Sequence, residues 1–289
     1  MSTTALSILT GVAGMFGWGL YDFLGGVFAK QIGPFKSLFW SQLAGFMSML
    51  LLAIVLATSI NVPARLIVLF PIAAILYSAG YLFFFKGLEI GNVSIVAASM
   101  NLWAVFTMLF AFFLMGQRLS TIQSLGVLMI ISGATLASLK WSDIGGHALQ
   151  LSSGVKETVL GALFFGIFWN VSQVISEGVG WLQATLFVKL GIVLALLAFS
   201  FLVKREIGST MIPARTRYAL VLMGIVEVGA VATVNYGLTI GDAILITPIA
   251  SALSIVTITL AIIFLKDKVT RLQVLGMVTA VLGIVVTAF

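Results

Sequence analysis

The chain has 289 residues, of which 61% are hydrophobic and only 8% charged, and its basic residues outnumber the acidic ones for a net charge of +6. So little charge cannot cover a soluble domain, which makes a bilayer the natural solvent and removes nucleic acid as the meaning of the basic surplus. With no cysteine, disulfides, thiolate metal sites and cysteine nucleophiles are excluded.

A bilayer core takes about 20 apolar residues per helix. In chain order, apolar runs fall near 5–29, 37–60, 67–85, 93–115, 121–139, 155–176, 181–203, 218–236, 243–265 and 272–289, which predicts ten spans. The first run lacks a basic flank and is long enough to cross, so it reads as a helix rather than a cleavable leader. The breaks carry charge and turn residues, as in Gly33-Pro34, Asn61-Val62-Pro63-Ala64-Arg65 and Gly116-Gln117-Arg118-Leu119. Two connections are longer and more polar, 140–154 and 204–217. The expected division is a first five-helix repeat over 1–140, a connecting loop over 141–154 and a second repeat over 155–289.

Ten spans put both chain ends on one side. The odd-numbered loops hold Lys30, Lys36, Lys86, Lys140, Lys156, Lys204, Arg205, Arg215, Arg217, Lys266, Lys268 and Arg271, whereas the even-numbered loops hold Arg65 and Arg118. The positive-inside rule then places the odd loops in the cytoplasm and both termini outside.

A shift of 150 residues superposes the later part of each half without a gap. Gly87-Leu88-Glu89-Ile90-Gly91-Asn92 falls on Gly237-Leu238-Thr239-Ile240-Gly241-Asp242, and Gln123 with Gly126 and Gly133 falls on Gln273 with Gly276 and Gly283. Near the front the best shift is 151, which sets Trp18 and Asp22 on Trp169 and Gln173. Five is an odd number of spans, so the second copy must cross the bilayer upside down relative to the first. The predicted fold is all-α and integral to the membrane, ten transmembrane helices as two inverted five-helix repeats, with a substrate site near the midplane between them. Seven residues make about two helical turns, so Gly126/Gly133 and Gly276/Gly283 each form one stripe, the pattern of two closely packed helices.

Three ionisable residues lie well inside spans: Asp22, Lys189 and Glu227. Each costs about 2.5–3.5 kcal/mol to insert at a helix centre, so each must face protein or water. Trp18 lies one turn before Asp22 and Gly26 one turn after, and Trp169 with Gln173 repeats the aromatic-then-polar spacing. An aromatic wall with one polar group suits a small amphipathic solute. Glu227 pairs with Tyr77 under the shift of 150, as Ser251 does with Asn101, and Asn235 lies two turns beyond Glu227 on the same face. A Lys189–Glu227 ion pair is possible; if it forms, Glu227 is structural and Asp22 is the better proton carrier. Trp103, Tyr81 and Pro248 are further candidates, the proline because it frees a carbonyl in the ninth span.

At this point the sequence resembles a known family. Two five-span repeats, Phe112-Phe113-Leu114-Met115-Gly116-Gln117-Arg118-Leu119 followed by Gly126 and Gly133, and Ile263-Phe264-Leu265-Lys266-Asp267-Lys268-Val269 followed by Gly276 and Gly283 look like the EamA-like branch of the drug/metabolite transporter superfamily. Their four-helix relatives, the small multidrug resistance proteins, carry a similar Gly-Gln-Arg-Leu turn and an essential first-helix carboxylate with a lysine eight residues later. Asp22 and Lys30 have that spacing, with Asp standing where those relatives have Glu. The resemblance implies that proton and substrate compete at Asp22. It also implies termini in the cytoplasm, opposite to the charge count.

The expectation is therefore a secondary transporter, an exporter of a small metabolite or amphipathic compound, proton-coupled through Asp22, in a multi-pass cell membrane of the bacterial inner-membrane kind. A channel or uncoupled facilitator stays open as the alternative, as does a structural membrane partner without solute flux. A membrane enzyme lacks support, because the single histidine, His147, lies in a loop and no nucleophile–base or metal cluster appears. No cofactor or metal is expected. The partners are the bilayer and a small-molecule substrate among amino acids, sugars, nucleobases or organic cations, and the chain would work as a monomer or a homodimer.

Overall fold

The computed structural model describes residues 2–90, 96, 99–138, 154–204, 207–208, 212–266 and 269–289. The expected connecting loop, 141–154, lies almost wholly outside the described residues, as does His147.

The apolar runs fold as helices, because inside a bilayer a backbone must satisfy its own polar groups. They are α1 (Thr3–Ile32), α2 (Pro34–Val55), α3 (Leu69–Ile90, led in by a single turn at Ala64–Ile67), α4 (Leu102–Leu114) and α5 (Thr121–Ser138). The second set is α6 (Val155–Val179), α7 (Trp181–Val203), α8 (Ala214–Ile240), α9 (Ala243–Leu265 in three pieces) and α10 (Arg271–Val286). Eight segments are long and apolar enough to span, while α4 and α10 are shorter apolar helices. Proline and glycine set several boundaries. Gly33, at φ +86°, turns the chain between α1 and α2, and Pro34 occupies the first turn of α2, where its missing N–H costs nothing. In α9, Pro248 removes an N–H, and the helix breaks at Ala252 before ending in one π turn, Ala261–Leu265.

The packing between halves shows how the copies are related. A Cβ on Gly126 would meet the carbonyl oxygen of Gly283 at 2.8 Å, and one on Gly283 would meet that of Gly126 at 2.6 Å. Gly133 and Gly276 oppose each other in the same way, each added Cβ lying 2.6 Å from the other's carbonyl oxygen. Ascending positions on α5 thus meet descending positions on α10, and each contact maps onto its partner under the shift of 150. Such an isologous antiparallel contact requires a two-fold axis in the membrane plane. The same axis sets α1 against α8 and α3 against α6. Around it the first piece of α9, Ala243–Ser251, is buried at every residue.

Candidate functional site

Two repeat equivalents meet at the middle of the bundle. Tyr77 of α3 donates its hydroxyl proton to Glu227 Oε1, a residue 150 positions along the chain. Lys189 Nζ of α7 reaches both carboxylate oxygens of Glu227 at 2.6 Å and donates to Gln42 Oε1 of α2 at 2.7 Å. Lys189, Glu227 and Gln42 are all fully buried. The cluster therefore ties α2 and α3 of one repeat to α7 and α8 of the other. The charges balance, and Glu227 receives a donor on each oxygen, as a buried pair requires if it is to offset its desolvation.

Aromatic side chains cover this cluster. Trp18 and Trp169, equivalent under the shift of 151, sit 5.2 Å apart between ring centroids, and Trp103 lies 6.3 Å from the first and 6.2 Å from the second. Phe168 links Trp169 to Tyr77 at 4.8 and 5.0 Å. These tryptophans are buried inside the protein and are not anchors at the membrane surface.

The other predicted residues take different places. Asp22 is half-buried on α1, one turn beyond Trp18, and among the described residues no hydrogen bond or ion pair engages it. The side chain of Lys30, which completes the family spacing, lies outside the described residues. Asn235 accepts from Ser172 Oγ and donates to Thr185 Oγ1, both at 2.9 Å, so it acts as a tether between α6, α7 and α8. Ser251 donates to the carbonyl oxygen of Pro248 at the break in α9. Asn101, before the first turn of α4, keeps a buried Nδ2 with no hydrogen-bond partner among the described residues.

Gln173 belongs to a second network nearer the face that carries the chain ends. Its Oε1 accepts from Gln117 Nε2 at 2.8 Å and from the backbone N–H of Ala243 at 3.2 Å, while its Nε2 donates to Glu177 at 2.7 Å. Gln117 Oε1 accepts from the N–H of Ile244 at 3.1 Å. Two side-chain oxygens from other segments thus cap the start of α9, the part of a helix with unsatisfied donors. Sequence reasoning took Gln117 only as a turn residue and passed over Gln42. A lone glutamine inside an apolar run was the available signal for Gln42; for Gln117 nothing local distinguishes a buried turn residue from an exposed one.

A family model described as EamA-like transporter family matches residues 5–139 and 152–289. A search of curated proteins finds no match. Among solved structures, one titled "Crystal structure of protein" superposes with a TM-score of 0.79 at 20% identity, over 97% of this chain and 95% of that one. At that identity the likeness speaks for the fold alone.

Proposed function

The chain belongs to the EamA-like transporter family, and from that premise we propose that it is a secondary active transporter, exporting a small metabolite or amphipathic solute by alternating access coupled to protons. Membership supports movement of small molecules through the membrane by a multi-pass protein; direction and coupling are our reading. The observation that carries it is the meeting of repeat equivalents on the axis, Tyr77 on Glu227 and Trp18 beside Trp169. A site on the axis of two inverted copies is presented to either face by rocking one copy against the other. The Trp18, Trp103 and Trp169 cluster would form the apolar wall for a solute. Because Lys189 already neutralises Glu227, the acid left to carry a proton is Asp22.

The experiment starts from a panel of labelled metabolites screened for thermal stabilisation of the purified protein. The best stabiliser is then followed in inverted vesicles with and without a pH gradient. Wild-type uptake should rise with the gradient, and Asp22→Asn should fold normally and lose that response. Gradient-driven uptake that survives Asp22→Asn would remove the proton role. Wild-type flux indifferent to the gradient would favour the uncoupled facilitator.

A further inference from the structure

Apart from the central cluster, a cavity of about 180 Å³ opens at the face that carries the chain ends. Three segments meet there: the first turns of α1, the turn leading into α5, and the junction of α8 with α9. The first two belong to one repeat and the third to the other. The polar lining is Thr3, Thr4, Ser7, Arg118, Gln123 and Asp242. Two opposite charges thus line one cavity, yet no ion pair joins Arg118 to Asp242. Arg118 is braced: its guanidinium lies 3.9 Å from the centre of the Phe112 ring, and Nη1 donates to the carbonyl oxygens of Phe112 and Gln117, both at 2.9 Å. Its other edge, Nε with Nη2, has no partner among the described residues. Asp242 precedes α9 in extended backbone, and its side chain caps nothing. Gln123 Oε1 accepts from the N–H of Ser120, which leaves the amide Nε2 to donate.

The depth of the cavity narrows the choice of ligand. Helix α1 begins at Thr3, α5 at Thr121 and α9 at Ala243, so the cavity is level with the ends of three apolar spans. Within two turns of it, Leu9, Ile122 and Leu125 are exposed on the outside of the bundle, where hydrocarbon lies against them. A molecule with a charged head at this level and apolar chains below meets both surfaces. We propose that the cavity binds the headgroup of a zwitterionic phospholipid carrying a primary ammonium, with its phosphate on the Nε–Nη2 edge of Arg118 and its ammonium on Asp242.

The two charges set the selectivity. A planar guanidinium edge donates to two phosphate oxygens at once, and the hydroxyls of Thr3 and Thr4 line the same cavity. A primary ammonium gives a carboxylate three donors, whereas a trimethylammonium gives it none. A basic pocket at the membrane surface by itself favours anionic lipids. Here Asp242 repels an anionic headgroup that brings no ammonium. The order should therefore be phosphatidylethanolamine well ahead of phosphatidylcholine and phosphatidylglycerol. Because the cavity is lined from both repeats, a bound headgroup would bridge them.

The test is thermal unfolding of the purified, delipidated protein in detergent micelles doped with increasing mole fractions of each of the three lipids, all with the same acyl chains. Phosphatidylethanolamine should reach half of its maximal stabilisation at about a tenfold lower mole fraction than either of the others. Asp242→Asn should raise that mole fraction about tenfold, to the level of phosphatidylcholine, and should leave phosphatidylglycerol no weaker. Arg118→Gln should weaken phosphatidylethanolamine about tenfold or more, whereas Arg65→Gln, at an exposed arginine of the same face, should not. If Arg118→Gln lowers the Tm without lipid, Asp242→Asn carries the test by itself, since that side chain caps nothing. Equal stabilisation by the three lipids, or a phosphatidylethanolamine preference that survives Asp242→Asn, would overturn the site. Soluble glycerophosphoethanolamine separates a lipid headgroup from a free zwitterion. At the lipid's own concentration it should not stabilise the protein, and stabilisation equal to the lipid's would overturn the assignment to a lipid.

Discussion

Removing the ammonium of Lys189 with Lys189→Met leaves a methylene stem of similar volume and deletes three hydrogen bonds: two to Glu227 at 2.6 Å and one to Gln42 at 2.7 Å. Both members of the pair are at 0% exposure, so water cannot take over. Breaking a buried pair by removing one partner costs about 3–5 kcal/mol, mostly from the charge left behind. Uptake of a proton by Glu227 limits that loss, and Tyr77 can still donate to it, which favours the lower end, about 3 kcal/mol. At roughly 2–4 °C per kcal/mol for a chain of this order, Tm should fall by roughly 6–12 °C. The assay is thermal unfolding of purified protein followed by intrinsic fluorescence, for which the chain has six tryptophans. The double variant Lys189→Met with Glu227→Gln carries no buried charge and keeps an acceptor for Tyr77, so it should recover at least half of the loss. A Lys189→Met protein within about 2 °C of the parent, or a double variant worse than both singles together, would refute the reasoning.

Two further outcomes follow from packing and tethering. Gly133→Val places a Cβ 2.5 Å from the backbone nitrogen of Ala280, so α5 and α10 must separate; it should cost about 1–3 kcal/mol or more in thermal stability, whereas Gly229→Ala, with nothing within 4 Å of the added Cβ, should change little. Asn235→Leu removes the acceptor of Ser172 and the donor to Thr185, which keeps its own bond to the Trp181 carbonyl, at a cost of about 1–3 kcal/mol. Its thermal stability should drop while the concentration of stabilising metabolite needed for half effect stays the same, because Asn235 is a tether.

The ten helices and their inversion were legible early, for a physical reason. Hydrocarbon demands long apolar segments with internally satisfied backbones, and an odd number of spans per repeat leaves the second copy no orientation except the inverted one. The glycine stripes of α5 and α10 were legible because close approach demands the absence of a side chain at fixed spacing. Asp22, Lys189 and Glu227 stood out because an ionisable group in a bilayer needs a reason to be there. Gln42, Gln117 and Phe168 did not stand out. Gln42 was marked only as a glutamine inside an apolar run, and nothing local tells which helix such a residue, a turn glutamine or a phenylalanine will meet.

Composition, run length and the repeat by themselves determined a membrane protein of ten crossing helices in two antiparallel copies, since each follows from the cost of placing polar backbone and charge in lipid. Only the tertiary structure decided which partners each polar residue meets. It joined Glu227 to Lys189 and Tyr77, and Lys189 in turn to Gln42, linked Asn235 to Ser172 and Thr185, hydrogen-bonded Gln173 to Gln117, and left Asp22 without a partner among the described residues. Those assignments depend on which helices face one another across the axis, and a hydrogen bond between residues 150 positions apart leaves no trace in local spacing.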